Sequence, residues 1–140
     1  SNFLEGMQTL RQISFGILDM DWHSKNPVEV KNVKDFETKS FKNTQLYPEV
    51  KENCMSTSFS HIFQGGYSSG YYSYKWAEVL DADAFAMFLE HGIFDKETAL
   101  KFKNNILEKG GTIKPMDLYI AFRGEKPSNK ALLKRAGLLK

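Results

Sequence analysis

A chain of 140 residues, with a net charge of +2 and 41% hydrophobic content, has the length of one domain and enough apolar material for a core. So slight a charge argues against nucleic acid or anionic lipid as a partner, and no apolar run approaches the roughly 20 residues that a membrane span needs. Its single cysteine, Cys54, excludes an internal disulfide framework, fits a reducing, cytoplasmic setting and, with no histidine near it in sequence, reads as an unreactive thiol.

Phe3, Met7, Leu10, Ile13, Ile17 and Leu18 recur at helical spacing and predict a first helix from Phe3 to His23 with that stripe on the core. These opening residues already read as helix interior, without an initiator methionine or a leader, so the chain is expected to be a piece of a longer polypeptide. Asn26-Pro27 offers a cap followed by proline at a first helical position, and predicts a second helix carrying Val30, Val33, Phe36 and Phe41. Residues 43 to 58, with Tyr47-Pro48, read as an irregular connection. Trp76, Val79, Leu80, Ala84, Met87 and Phe88 predict a long helix over 72–90, stopped by Gly92. Asp95 caps the next, with Ala99, Phe102, Ile106 and Leu107 on one face and Gly110-Gly111 as the stop. Pro115 opens a short helix through Phe122, and Ser128 caps a last one reaching Ala136 before Gly137. With no convincing period-two run and no internal repeat, the expected fold is all-α.

The chemistry concentrates before the long helix, where His61 and the tyrosines Tyr67, Tyr71, Tyr72 and Tyr74 surround Gly65, Gly66 and Gly70. Glycines this dense free the backbone at an entropic cost, and such a loop usually does something. Protonated tyrosine hydroxyls can donate to a developing negative oxygen, most usefully when fixed in advance. Tyr67 and Tyr74 could approach one ligand from the loop and from the helix start. For any single tyrosine plain packing competes with this reading, and for His61 a structural role competes with proton carrier or ligand. Gly65-Gly66-Tyr67-Ser68-Ser69-Gly70 lacks the lysine and Ser/Thr ending of a phosphate loop. No metal site is expected within the chain, since His23, His61 and His91 form no His-Glu-x-x-His stretch. Glu78, Asp81 and Asp83 read as a solvated or helix-pairing face, and Lys101, Lys103, Lys109 and Lys114 as solvated surface.

Ser58-Phe59-Ser60-His61-Ile62-Phe63, Gly65-Gly66-Tyr67 and the run from Gly70-Tyr71-Tyr72-Ser73-Tyr74-Lys75-Trp76 to Asp83-Ala84-Phe85 carry a resemblance. They resemble the carboxy-terminal signature of the thimet-oligopeptidase family of zinc metallopeptidases, which includes oligopeptidases and peptidyl-dipeptidases. Leu10-Arg11-Gln12-Ile13-Ser14-Phe15, Leu18-Asp19-Met20 and His23 upstream, and Gly110-Gly111, Pro115-Met116-Asp117-Leu118-Tyr119 and Phe122-Arg123-Gly124 downstream, keep the same order. The resemblance spans nearly all of residues 1–140. It implies a helical C-terminal segment of a zincin-type catalytic domain, acting on short peptides, whose zinc ligands lie in the N-terminal remainder of the same polypeptide. It also implies site roles: Tyr74 with His61 stabilising the tetrahedral intermediate, and Tyr67, on the mobile loop of Gly65, Gly66 and Gly70, holding substrate. Tyr71 has a weaker claim to substrate contact. Gln64, Ser68 and Ser69 depart from the smaller residues usual at those loop positions, which bears on loop mobility and cleavage-site preference. A stand-alone helical module binding peptides or proteins without catalysis is the competing reading, and aromatic stacking on single-stranded nucleic acid is a poor third, because the basic residues do not interleave with the tyrosines.

Overall fold

A computed structural model describes residues 2–139, and among them it contains six α-helices and no strand. The chain forms two compact units, one up to Trp76 and one from Ala77 onward.

The first unit is organised by α1 (Glu5–Ser24) and α2 (Val33–Phe41). The face that α1 buries matches the predicted stripe only in part: Leu18 is fully buried and Met7, Leu10 and Ile17 are half-buried, but Phe3 and Ile13 are exposed while Phe15 and Asp19, outside the stripe, are buried. Phe59 and Ile62, from the irregular segment before the glycines, close on Phe15 and Leu18 to form the core, with Trp22, Phe36, Phe41, Met55 and Tyr71 packed around it. Leu18 and Ile62 are fully buried, each stabilising the unit by about 1.5–3 kcal/mol. Asn26 does cap a turn, but it is the short 3-10 turn Pro27–Glu29. The true start of α2 is Asn32, whose side chain accepts the Asp35 amide at 3.1 Å. Val30 and Asn32 are extended, so the helix begins only at Val33.

The connection after α2 is held by carboxylates. Glu37, 2% exposed, accepts the Met55 amide at 2.9 Å and both the amide and hydroxyl of Ser56, at 2.6 and 2.7 Å. Ser56 in turn accepts the Trp22 indole N–H at 3.1 Å, tying α1, α2 and the 3-10 turn Met55–Thr57 together. Glu49 pairs with Lys34 and accepts the Thr38 hydroxyl, which fastens the middle of the connection to α2.

Helix α3 (Ser73–His91) matches the prediction closely and stops at Gly92, whose φ of 115° lies in the region that favours glycine. In the second unit it buries Ala82, Asp83 and Met87. Helix α4 (Lys96–Phe102) is capped by Asp95, which accepts the Thr98 amide at 2.7 Å. Residues Lys103–Leu107 then widen into a π-helical turn, which leaves Leu107 exposed despite its place in the predicted stripe. Helix α5 (Pro115–Arg123) supplies Leu118, Tyr119 and Phe122 to the core, and the rings of Phe88, Phe102 and Phe122 pack within 6.4 Å of one another. The last helix, α6 (Lys130–Arg135), starts after Asn129 rather than Ser128, with no side-chain cap. Asp83 and Asp81 are helix-pairing acids: Asp83 accepts the Tyr119 hydroxyl at 2.7 Å and Asp81 takes Arg135 at the same distance. Burial first, and the Asp83 bond second, push the Tyr119 hydroxyl far above its ordinary range. Phe85, Leu89, Ile93 and Phe94 stay exposed on the second unit. Among the described residues no helix is long and apolar enough to cross a membrane.

The Thr98 amide holds the Asp95 carboxyl below the usual carboxylate range. A depressed value makes the cap's contribution present above the unfolded carboxyl's pKa, near 4, and lost as pH falls through the lower folded one. Asp95→Ala is therefore expected to lower the thermal midpoint at pH 7, with the difference from wild type closing as pH is taken below about 4. Paired melts at pH 7 and pH 3 check this.

Candidate functional site

The glycine-rich segment hangs on the core of the first unit by its two ends. At one end Phe59 and Ile62 are buried, and the 3-10 turn Ser60–Ile62 between them leaves His61 exposed. At the other, Tyr71 sets its ring against Phe59, at 5.0 Å between centroids, and Phe15, at 5.9 Å. The loop between them turns back at Gly65, where φ is 79°. Gly66 and Gly70 lie outside the left-handed region, and a Cβ at either meets nothing closer than the ordinary contact of 3.5 Å at Gly70. Of the three glycines, Gly65 alone needs to be one on backbone grounds. Ser69, at φ 57°, takes the conformation that a glycine would adopt more cheaply. Gly65→Ala is accordingly expected to destabilise the unit by about 1 kcal/mol and Gly66→Ala by less than about 0.5 kcal/mol, measured by chemical denaturation.

The turn brings His61, Tyr67, Tyr71 and Tyr74 into one cluster. The His61 ring lies 5.7 Å from Tyr67 and 6.2 Å from Tyr71, Tyr67 stacks on Tyr74 at 5.4 Å, and Tyr74 is 5.1 Å from Tyr71. Packing and display divide among the tyrosines. Tyr71 is half-buried against the core, whereas Tyr67 and Tyr74 are 39% and 40% exposed. Tyr72, at 58% exposed, stands outside the ring cluster. The side-chain hydrogen bond with Tyr67 comes first, and partial burial second, in raising the Tyr74 hydroxyl above its ordinary value of 10.0. Tyr74 thus keeps its proton at neutral pH and presents a neutral donor at the surface.

Asp19 is the residue of this site that sequence reasoning missed. It sits on α1, is fully buried, and its carboxylate accepts the amides of Ser69 and Tyr71, both at 2.9 Å. His23, one turn on, places Nδ1 2.9 Å from Oδ1 of the same carboxylate. The available signal was an acid directly following Leu18 within an apolar stripe; the partners lie 50 and 52 residues away.

Among the described residues no group of three His, Cys, Asp or Glu side chains is placed to hold a metal ion. The neighbours of the His61 ring are aromatic: Phe59, Tyr67 and Tyr71. Chemically the cluster is a set of hydroxyl groups and one imidazole, carried on the 3-10 turn Ser60–Ile62, the glycine loop and the first turn of α3.

The model of peptidase family M3 matches residues 1–138. The chain is 44% identical over 142 aligned residues to the organellar oligopeptidase A, chloroplastic/mitochondrial, of Arabidopsis thaliana, covering 98% of this chain and 18% of that protein. It is 41% identical over 138 residues to oligopeptidase A of Escherichia coli K12, covering 98% of this chain and 20% of the relative. To the dipeptidyl carboxypeptidase of the same bacterium it is 35% identical over 141 residues, covering 99% and 21%. The chain therefore spans about a fifth of the length of the curated relatives it matches.

Proposed function

The chain belongs to peptidase family M3, and from that premise we propose that it is the C-terminal segment of a metallopeptidase that hydrolyses peptide bonds in short peptides. In this reading the cluster of His61, Tyr67, Tyr71 and Tyr74 is the substrate-facing wall opposite the metal. The observation that carries it is the exposed, mutually stacked pair Tyr67 and Tyr74, since two large rings left 39% and 40% accessible, one on the glycine loop and one in the first turn of α3, contribute less to a core than they offer to a ligand.

Full-length members of this family are zinc enzymes. This chain's residues do not fit the ion, because among those described no three ligating side chains converge. Its ligands belong, in this proposal, to the N-terminal remainder of the same polypeptide, and this segment alone is inactive. The part of the reaction proposed for this chain is binding and charge stabilisation. Tyr74 donates its hydroxyl proton in a hydrogen bond to the oxygen that becomes negative when water adds to the scissile carbonyl, and His61 adds a second donor from the facing turn. Tyr67 holds the substrate backbone, with Gly65 and Gly66 letting its part of the loop close over the peptide and Gly70 at the loop's other end. Tyr71, half in the core, backs the other two rings. The cytoplasm is the proposed location, supported by the single free cysteine, Cys54.

The test is the full reading frame expressed with zinc and offered a quenched-fluorescent short peptide and a folded protein. Chelator-sensitive cleavage of the peptide with the folded protein left intact is expected. Peptide binding without hydrolysis would instead make the cluster a non-catalytic recognition module.

A further inference from the structure

We propose that Asp19 is the positioning residue of the tyrosine loop: its buried carboxylate clamps the loop's C-terminal foot to α1 and thereby sets Tyr71 and Tyr74. The role assigned to those rings rests on the functional reading above; the clamp itself does not.

A fully buried carboxylate is tolerated only where donors replace its water. Asp19 has three: the Ser69 amide and His23 Nδ1 on Oδ1, and the Tyr71 amide on Oδ2, each at 2.9 Å. The His23 Nδ1 also lies 2.8 Å from the Asp19 carbonyl oxygen, so the proton on that nitrogen faces two acceptors. Two of the three donors are main-chain groups of the loop, and charge-assisted bonds of this kind are both shorter and stronger than neutral ones. The clamp also explains Ser69. A non-glycine residue holds a left-handed φ of 57° when its surroundings over-determine it, and Asp19 grips that residue's own amide.

The bonds divide the loop mechanically. The Ser68 hydroxyl donates to the Ile62 carbonyl at 2.7 Å and closes the loop at its neck, while Asp19 pins Ser69 and Tyr71. Gln64, Gly65, Gly66 and Tyr67 lie beyond those ties and are all exposed. On the clamped side, the Ser73 amide bonds the Gly70 carbonyl and the Tyr74 amide bonds the Tyr71 carbonyl, so the first turn of α3 starts from the pinned residues. Tyr74 is thus held through Asp19, whereas Tyr67 is held only by the Gly70 amide on its carbonyl and by its side-chain contacts with Tyr74 and His61.

Two measurements on the full-length polypeptide test this. Hydrogen exchange of the wild type should protect the Ser69 and Tyr71 amides at least about 100-fold over those of Gly65 and Gly66, although all four lie on one loop. Equal exchange overturns the clamp. D19N keeps one acceptor oxygen but turns an NH2 toward an amide donor, and should lower kcat/KM about 100-fold in the wild type yet less than about threefold in a Tyr74→Phe background, because the two act through one group. Full additivity of the two losses overturns the positioning role and leaves Asp19 a buttress of the fold. Because exchange needs no catalysis, a polypeptide that cleaves nothing would sink the proposed function while the clamp is still decided by the exchange data.

Discussion

Tyr74→Phe, made in the full-length polypeptide, is expected to lower kcat about 100-fold while KM moves less than about threefold. The substitution keeps the ring, its stacking on Tyr67 at 5.4 Å and its packing beside Tyr71 at 5.1 Å, and removes the hydroxyl together with its hydrogen bond to Tyr67. A donor that matters chiefly when the carbonyl oxygen becomes charged is lost from the transition state and not from the bound substrate, so the loss falls on kcat. Tyr67→Phe should behave in the opposite way, raising KM more than it lowers kcat, since its proposed contact is with the substrate backbone. The upward displacement of the Tyr74 pKa, led by its bond with Tyr67, gives a further consequence. The donor is the protonated form, which is held below the raised pKa and lost above it, so ionisation of Tyr74 should cause no fall in rate below about pH 10. Steady-state kinetics across pH measure all three effects; a turnover within twofold of wild type removes Tyr74 from the proposed role.

Glu37→Ala is expected to destabilise the first unit by about 3–5 kcal/mol, the largest stability effect of any single substitution considered. At 2% exposure Glu37 satisfies the Met55 amide, the Ser56 amide and the Ser56 hydroxyl, and truncation strands all three donors beside a cavity. The loss propagates toward the site along the chain, because the same turn leads directly into Phe59 and Ile62, the two residues that anchor the tyrosine loop in the core. Glu37→Gln retains one acceptor oxygen and should cost about 2 kcal/mol. Urea unfolding followed by Trp22 emission in a Trp76→Phe background reads the change locally, since the Trp22 indole bonds Ser56. A cost below about 1 kcal/mol for Glu37→Ala would mean that water reaches those donors.

The helix ends with local chemistry were legible in the sequence. Gly92 stopping α3, Asp95 capping α4 and Pro115 opening α5 each depend on a residue and its near neighbours. What failed was set at a distance. Which residues of α1 turn inward is decided by Phe59 and Ile62, some 40 residues on, so Phe15, outside the predicted stripe, is buried beside Leu18 while Phe3 and Ile13 of that stripe are exposed. The start of α2 moved from Asn26 to Asn32 because Asn26 caps only the 3-10 turn Pro27–Glu29, after which Val30 and Asn32 are extended. The π-helical turn after Phe102 shifts the side-chain register in a way that periodicity cannot carry. The site divided along the same line. His61, Tyr67, Tyr71 and Tyr74 were singled out by residue type and by the glycines among them, and the fold gathers their rings. The acids that hold the structure, Asp19, Glu37 and Asp83, look locally like surface charges. Their burial becomes apparent only when donors from distant residues are in place.

The most direct test of the central claim, that the tyrosine cluster is tuned to the charged tetrahedral state, is differential binding to the full-length polypeptide by titration calorimetry. A phosphinic peptide, whose anionic tetrahedral centre resembles that state, is compared with the matched peptide amide, for wild type and Tyr74→Phe. Tyr74→Phe is expected to weaken the phosphinic peptide about 100-fold and the amide less than about threefold. Equal weakening of both ligands, or of neither, would contradict the central claim.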